Sequence, residues 1–115
     1  MRRGEIRWVD LDPARGVESN KRRPGVIVSN DGANATASRL GRGVVTMVPV
    51  TSNVERIYPF QVLLTAQATG LDRDSKAQAE QVRSVAIERV GERLGILTST
   101  DLADLDEALR IHLAL

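Results

Sequence analysis

The chain has 115 residues, 42% of them hydrophobic and 27% charged, which suits one soluble domain spanning 1–115 and excludes wholesale disorder. It contains no cysteine, so disulfides, thiolate metal sites and thiol nucleophiles are excluded together, as fits a reducing cytoplasm. The net charge is only +1, so placement of charge matters more than its total: Lys21-Arg22-Arg23 is a compact basic cluster, whereas Asp101, Asp104, Asp106 and Glu107 are acidic.

The start, Met1-Arg2-Arg3-Gly4-Glu5, has no apolar stretch behind it of the kind a signal peptide needs, and no apolar run approaches the roughly 20 residues of a membrane span. A cytoplasmic protein is expected. Ile6 to Leu11, with Trp8 and Val9, reads as a first strand, and Pro24-Gly25 opens a second, Val26-Ile27-Val28. Between them Asp12 to Asn20 is a long loop punctuated by Pro13 and Gly16. Loops of that length in small domains are often functional. Ser29 to Thr36, carrying Asn30-Asp31-Gly32, reads as a turn or irregular segment.

Gly43 to Val50 resumes strand composition, with Pro49 suited to a strand end or an edge. Thr51 to Pro59 is a loop, Phe60 to Thr65 a further strand, and Gly70 and Asp72 are turn signals. Alternation in Val82-Arg83-Ser84-Val85 favours a strand, while Ala77 to Gln81 alone would pass for helix. Leu102, Leu105, Leu109 and Leu113 recur at three- and four-residue spacing behind the candidate caps Thr98, Ser99 and Thr100. They predict a C-terminal amphipathic helix. The whole is mainly β, with five or more strands and one helix.

Available chemistry narrows by subtraction. His112 is the only histidine and lies on the predicted helix, so a two-histidine ribonuclease mechanism within one chain is excluded. There is no HExxH, no Cys/His spacing and no carboxylate cluster suited to paired divalent ions, and no phosphate-binding glycine loop. Asp72 and Asp74 are expected to form a turn and carry surface charge. What remains is Glu18, Ser19, Asn20, Lys21, Arg22 and Arg23 beside a strand, and a second loop opening Thr51-Ser52-Asn53. An arginine fork and a hydroxyl suit phosphate chemistry, although from pattern alone a solvated charge run is the favoured reading of Lys21 to Arg23.

Several ordered pieces resemble the MazF/PemK family of toxin-antitoxin ribonucleases. They are Gly4-Glu5-Ile6 with Trp8 to Pro13; Gly16 to Glu18 followed by Arg23-Pro24; and Val26-Ile27-Val28-Ser29-Asn30-Asp31. Val48-Pro49-Val50-Thr51-Ser52, Tyr58-Pro59-Phe60 and Ala79-Glu80-Gln81-Val82-Arg83-Ser84 follow. The resemblance spans essentially the whole chain. It implies a small SH3-like β-barrel of the CcdB/MazF/PemK plasmid-maintenance type, working as a homodimer, bound by a cognate antitoxin and cleaving single-stranded RNA without metal or cofactor. Many relatives carry Ser after the loop glycine, where this chain has Val17, a departure that bears on specificity.

The resemblance also implies the site: Arg23 and Thr51 as the catalytic pair, and attack by the ribose 2′-OH that leaves a cyclic phosphate and a 5′-OH. Arginine stays protonated at neutral pH, which makes Arg23 a fixed cation for the phosphorane rather than a proton shuttle. Thr51 would position or relay a proton, and Glu18 is the candidate general base. Asn20, Lys21, Arg22, Ser52, Asn53, Tyr58 and Gln81 are the expected RNA contacts, with Tyr58 placed to stack a base and Trp8 and Phe60 expected in the core. The rivals are a non-catalytic RNA-binding β-barrel module and a gyrase-binding toxin resembling CcdB. The latter family ends in Trp-Gly-Ile, whereas this chain ends His112-Leu113-Ala114-Leu115.

Overall fold

A computed structural model describes residues 1–11 and 22–115. Seven strands, β1 (Glu5–Asp10), β2 (Arg22–Ile27), β3 (Val44–Thr51), β4 (Gln61–Leu64), β5 (Ser75–Gln78), β6 (Arg83–Ala86) and β7 (Val90–Ile96), pair antiparallel throughout. Their order is β4-β5-β3-β2-β1-β7, with β6 also paired to β3. The curled sheet has the barrel-like form expected, without a ladder joining its first and last strands among the described residues.

Central strands are apolar in unbroken runs because both their faces are covered. One core gathers Ile6, Val26, Val48, Val50 and Leu64 under helix α3 (Ser99–Leu113), which contributes Leu105 and Ala108. A second core, on the opposite face, gathers Val9, Ile27, Val45, Met47 and Val85 under Ala37 of helix α1 (Asp31–Leu40). Consecutive residues such as Val26 and Ile27 therefore enter different cores.

Helix α1 corrects the turn expected at Ser29 to Thr36. Asn30 caps the helix by accepting from the Ala33 N–H at 2.8 Å, Asp31 sits in the first turn, and left-handed Gly41 ends it. Asn30-Asp31-Gly32 thus reads as a cap and not as a turn once Ala33, Ala35 and Ala37 supply helix propensity. Buried Asn34 bonds both the hydroxyl and the carbonyl of Ser29, which ties α1 to the end of β2.

Strand β7 had no signal in the sequence. It carries two glycines and a charged pair, Glu92-Arg93, and no apolar alternation. Pairing with β1, interrupted by two register shifts, is what makes it a strand. Ala77 to Gln81 divides between β5 and a single 3₁₀ turn, Ala79–Gln81. A short helix, α2 (Ala66–Thr69), precedes the Gly70 turn.

Pro49 is the second correction. It lies inside β3, a strand with neighbours on both sides, rather than at an end or an edge. The position is tolerated because one side of β3 changes partner there, from β6 at Val44 to Met47 to β5 at Val50 and Thr51. A residue without an N–H falls where the ladder needs no donor.

Candidate functional site

The principal cavity opens near Pro49, at the end of the β2–β3 ladder. Strands β2 and β3 pair at Ile27↔Met47, Val26↔Val48 and Gly25↔Pro49, and there the ladder stops. Two further steps of that register would set Arg23 opposite Thr51. Pro24 and Pro49, lacking N–H groups, stand beside the opening, and Thr51 pairs instead with Lys76 of β5. The continued strand directions nonetheless leave both residues beside one cavity.

That surface is the wall of a cavity of about 380 Å³, lined by Arg23, Thr51 and Ser52 and by Trp8 of β1. The turn Gly70 to Arg73 and Leu94 of β7 also line it. The volume is within the range of organic ligand sites, about 300–1,000 Å³. Arg23 is exposed and, among the described residues, has no ion pair, so its guanidinium remains open to an anion. Thr51 is half-buried, and its Oγ1 accepts the Asn53 backbone N–H at 3.3 Å. With one lone pair so engaged, the hydroxyl proton is free to be donated into the cavity.

Other expected residues fall elsewhere. Arg22 is at the start of β2, outside the cavity lining, with its guanidinium carbon 5.0 Å from the centroid of the Trp8 ring. Asn53 is exposed, and its side-chain oxygen accepts from the Glu55 N–H at 3.3 Å, so it shapes the loop behind Thr51. Tyr58 is exposed and lies parallel to Phe60, ring centroids 5.4 Å apart, with Lys76 Nζ 5.9 Å from the Tyr58 centroid. Gln81 is exposed at the end of its 3₁₀ turn. Neither Tyr58 nor Gln81 lines the cavity. Glu18, Asn20 and Lys21, with Val17, lie outside the described residues.

Two expectations change. Trp8, assigned to the core, is half-buried on the cavity wall, paired with Pro24 of β2, where the β2–β3 ladder has already stopped. Phe60, also assigned to the core, is half-buried against Tyr58. The carboxylates near residue 72 divide: Asp74 accepts the Ala66 N–H at 2.8 Å and builds the turn as expected, whereas Asp72 lines the cavity. Arg73, beside it, had drawn no attention. A DRD triplet in a polar turn gives no periodic signal, and only its approach to β7 brings it to Arg23. His112 is exposed on the last turn of α3. Among the described residues no three His, Cys, Asp or Glu side chains gather as metal ligands would.

An antiparallel sheet opened at one seam, with an arginine and a threonine lining the gap, defines a small barrel-like protein whose cavity suits an anionic ligand. Residues 2–113 match the family described as PemK-like, MazF-like toxin of type II toxin-antitoxin system. The chain belongs to that family. It is 65% identical to endoribonuclease MazF9 of Mycobacterium tuberculosis over 115 residues, covering 100% of this chain and 98% of the relative. It is 31% identical to endoribonuclease MazF of Staphylococcus epidermidis, covering 100% and 92%. Among solved structures, the MazE-MazF crystal structure (Form-II) from Deinococcus radiodurans superposes with a TM-score of 0.80 at 27% identity, covering 100% of this chain and 96% of that one.

Proposed function

We propose that the chain is a MazF-type endoribonuclease, the toxin of a type II toxin-antitoxin system, and that the cavity between Arg23 and Thr51 is where RNA is cut. The observation that carries this is the parting of β2 and β3, which leaves a guanidinium with no ion pair among the described residues and a hydroxyl lining one cavity. The ribose 2′-OH attacks the neighbouring phosphorus, the bond from phosphorus to O5′ breaks, and the products are a 2′,3′-cyclic phosphate and a 5′-OH. Arg23 holds the charge that builds on the phosphorane oxygens, a preorganised electrostatic role. Thr51 hydrogen-bonds departing O5′ and relays to it a proton from water, so that its own hydroxyl is restored. Glu18 takes the 2′-OH proton, and Ser52 and the Trp8 ring contact the nucleosides on either side. The protein acts on single-stranded RNA in the cytoplasm as a homodimer, and a cognate antitoxin silences it.

Incubation of the purified chain with a long single-stranded RNA in EDTA tests this. Cleavage products ending in cyclic phosphate from the unaltered chain, and intact RNA with Arg23→Ala, are expected. Cleavage that persists in Arg23→Ala, or that needs added divalent metal, overturns the mechanism.

A further inference from the structure

The turn that contributes Gly70 to Arg73 to the cavity wall is tied down by several hydrogen bonds. Thr65 caps α2 through the Ala68 N–H at 3.2 Å. The buried Thr69 hydroxyl donates to the Thr65 carbonyl at 2.8 Å and accepts the Leu71 N–H at 3.3 Å. Asp74 holds the Ala66 N–H, and the Ser75 hydroxyl donates to the Arg73 carbonyl at 3.1 Å. Gly95 of β7 presses against this turn so closely that a Cβ there would stand 2.3 Å from the Thr69 carbonyl oxygen. The backbone under Asp72 and Arg73 is therefore fixed from several directions.

On this fixed backbone Arg73 makes no ion pair among the described residues, not even with adjacent Asp72. Arg73 and Arg23 line the same cavity, and among the described residues neither guanidinium is ion-paired, so both can present donors to an anionic ligand there. The cavity is too large for one phosphate group alone.

We infer that Arg73 contacts a phosphate adjacent to the scissile one, so that Arg23 and Arg73 together clamp two consecutive phosphates of the RNA. This rests on the reading of the cavity as the cleavage site. Asp72, which also lines the cavity, accepts from ribose or base donors.

The test uses the full chain and a short oligonucleotide spanning a cleavage site first mapped on a long RNA. One version is all-phosphodiester; two others carry a neutral methylphosphonate one position to the 5′ or 3′ side of the scissile phosphate. At one of these positions the unaltered chain should lose about ten- to a hundredfold in kcat/KM, the scale of a lost charge-assisted hydrogen bond. Arg73→Gln should show a similar loss on the ordinary strand and no further loss on that methylphosphonate. Its salt dependence should also flatten by about 0.7 in log-log slope, one single-strand phosphate contact. Arg73→Lys, retaining the charge, should keep most of the methylphosphonate penalty and serves where the glutamine variant is poorly folded. Equal further loss in Arg73→Gln, a loss that follows base identity instead, or cleavage like the unaltered chain on every strand overturns the inference. Intact RNA with the unaltered chain overturns the underlying reading of the cavity.

Discussion

Two regions of the molecule use arginine in opposite ways. At the N-terminal end, Arg3 donates to the Val28 carbonyl at 2.9 Å and to Asp106 of α3 at 2.5 Å, and its backbone N–H donates to Asp31 at the start of α1. Arg7 donates to buried Glu5 at 2.9 Å and to the Gly91 carbonyl at 3.0 Å. At the cavity, Arg23 and Arg73 have no carboxylate partner among the described residues. An arginine whose donors are spent inside the protein stabilises the fold, and one whose donors are unspent is reserved for something the protein binds.

The comparison is sharpest for paired substitutions. Arg23→Ala should lose about a hundred- to a thousandfold in cleavage rate, as for removal of an oxyanion donor, with an unchanged melting temperature. Arg3→Ala should do the reverse, leaving the rate per folded molecule intact. A large stability loss in the former, or a large rate loss in the latter, breaks the distinction. Thr51→Val, close in shape but without the hydroxyl, should lose about ten- to a hundredfold, whereas Thr51→Ser should retain most activity; single-turnover rates on one RNA measure both.

For stability, Arg3→Ala leaves Asp106 half-exposed and the Val28 carbonyl without its donor, and should cost about 1–2 kcal/mol in denaturant unfolding. Thr98→Ala removes the cap that accepts the Asp101 N–H at 3.0 Å and should cost about 1 kcal/mol, with little effect on cleavage. The smallest effect is that of acid on Glu5. Burial opposes its ionisation, but the hydrogen bond from Arg7, the Arg2 backbone contact and the charges of Arg7 and the N-terminus outweigh it and hold its pKa below 4.5. A carboxylate with a lowered folded pKa adds stability that is fully present above the unfolded value. It is lost as pH falls through the folded one. Unfolding free energy should thus decline below about pH 4.5, and Glu5→Gln should flatten that decline.

Legibility in the sequence followed the physics of each element. The α3 leucine periodicity and the Val26-Ile27-Val28 run were readable because burial on a helix stripe or in a central strand imposes a local pattern. Helix α1 was misread because an Asn-Asp-Gly start serves a cap and a turn alike, and its packing stripe is only Asn34 and Ala37. Strand β7 was missed because it is held by backbone pairing to β1, which leaves no signature in side chains. Trp8 was placed in the core on residue type, which carries no information about where the β2–β3 ladder beside it ends.

By itself the sequence determined the residue types on which any chemistry must rest: one histidine, no cysteine, and an Arg23-Pro24 and a Pro49-Val50-Thr51 in the order that marks a MazF-like toxin. Only the tertiary structure decided that these two segments face each other where their ladder fails, and that Arg73, fifty residues beyond Arg23, closes the cavity. Composition and spacing act along the chain, whereas sheet register and the close approach of Gly95 to Thr69 act across it, and a site made from several strands exists only in the second kind of contact.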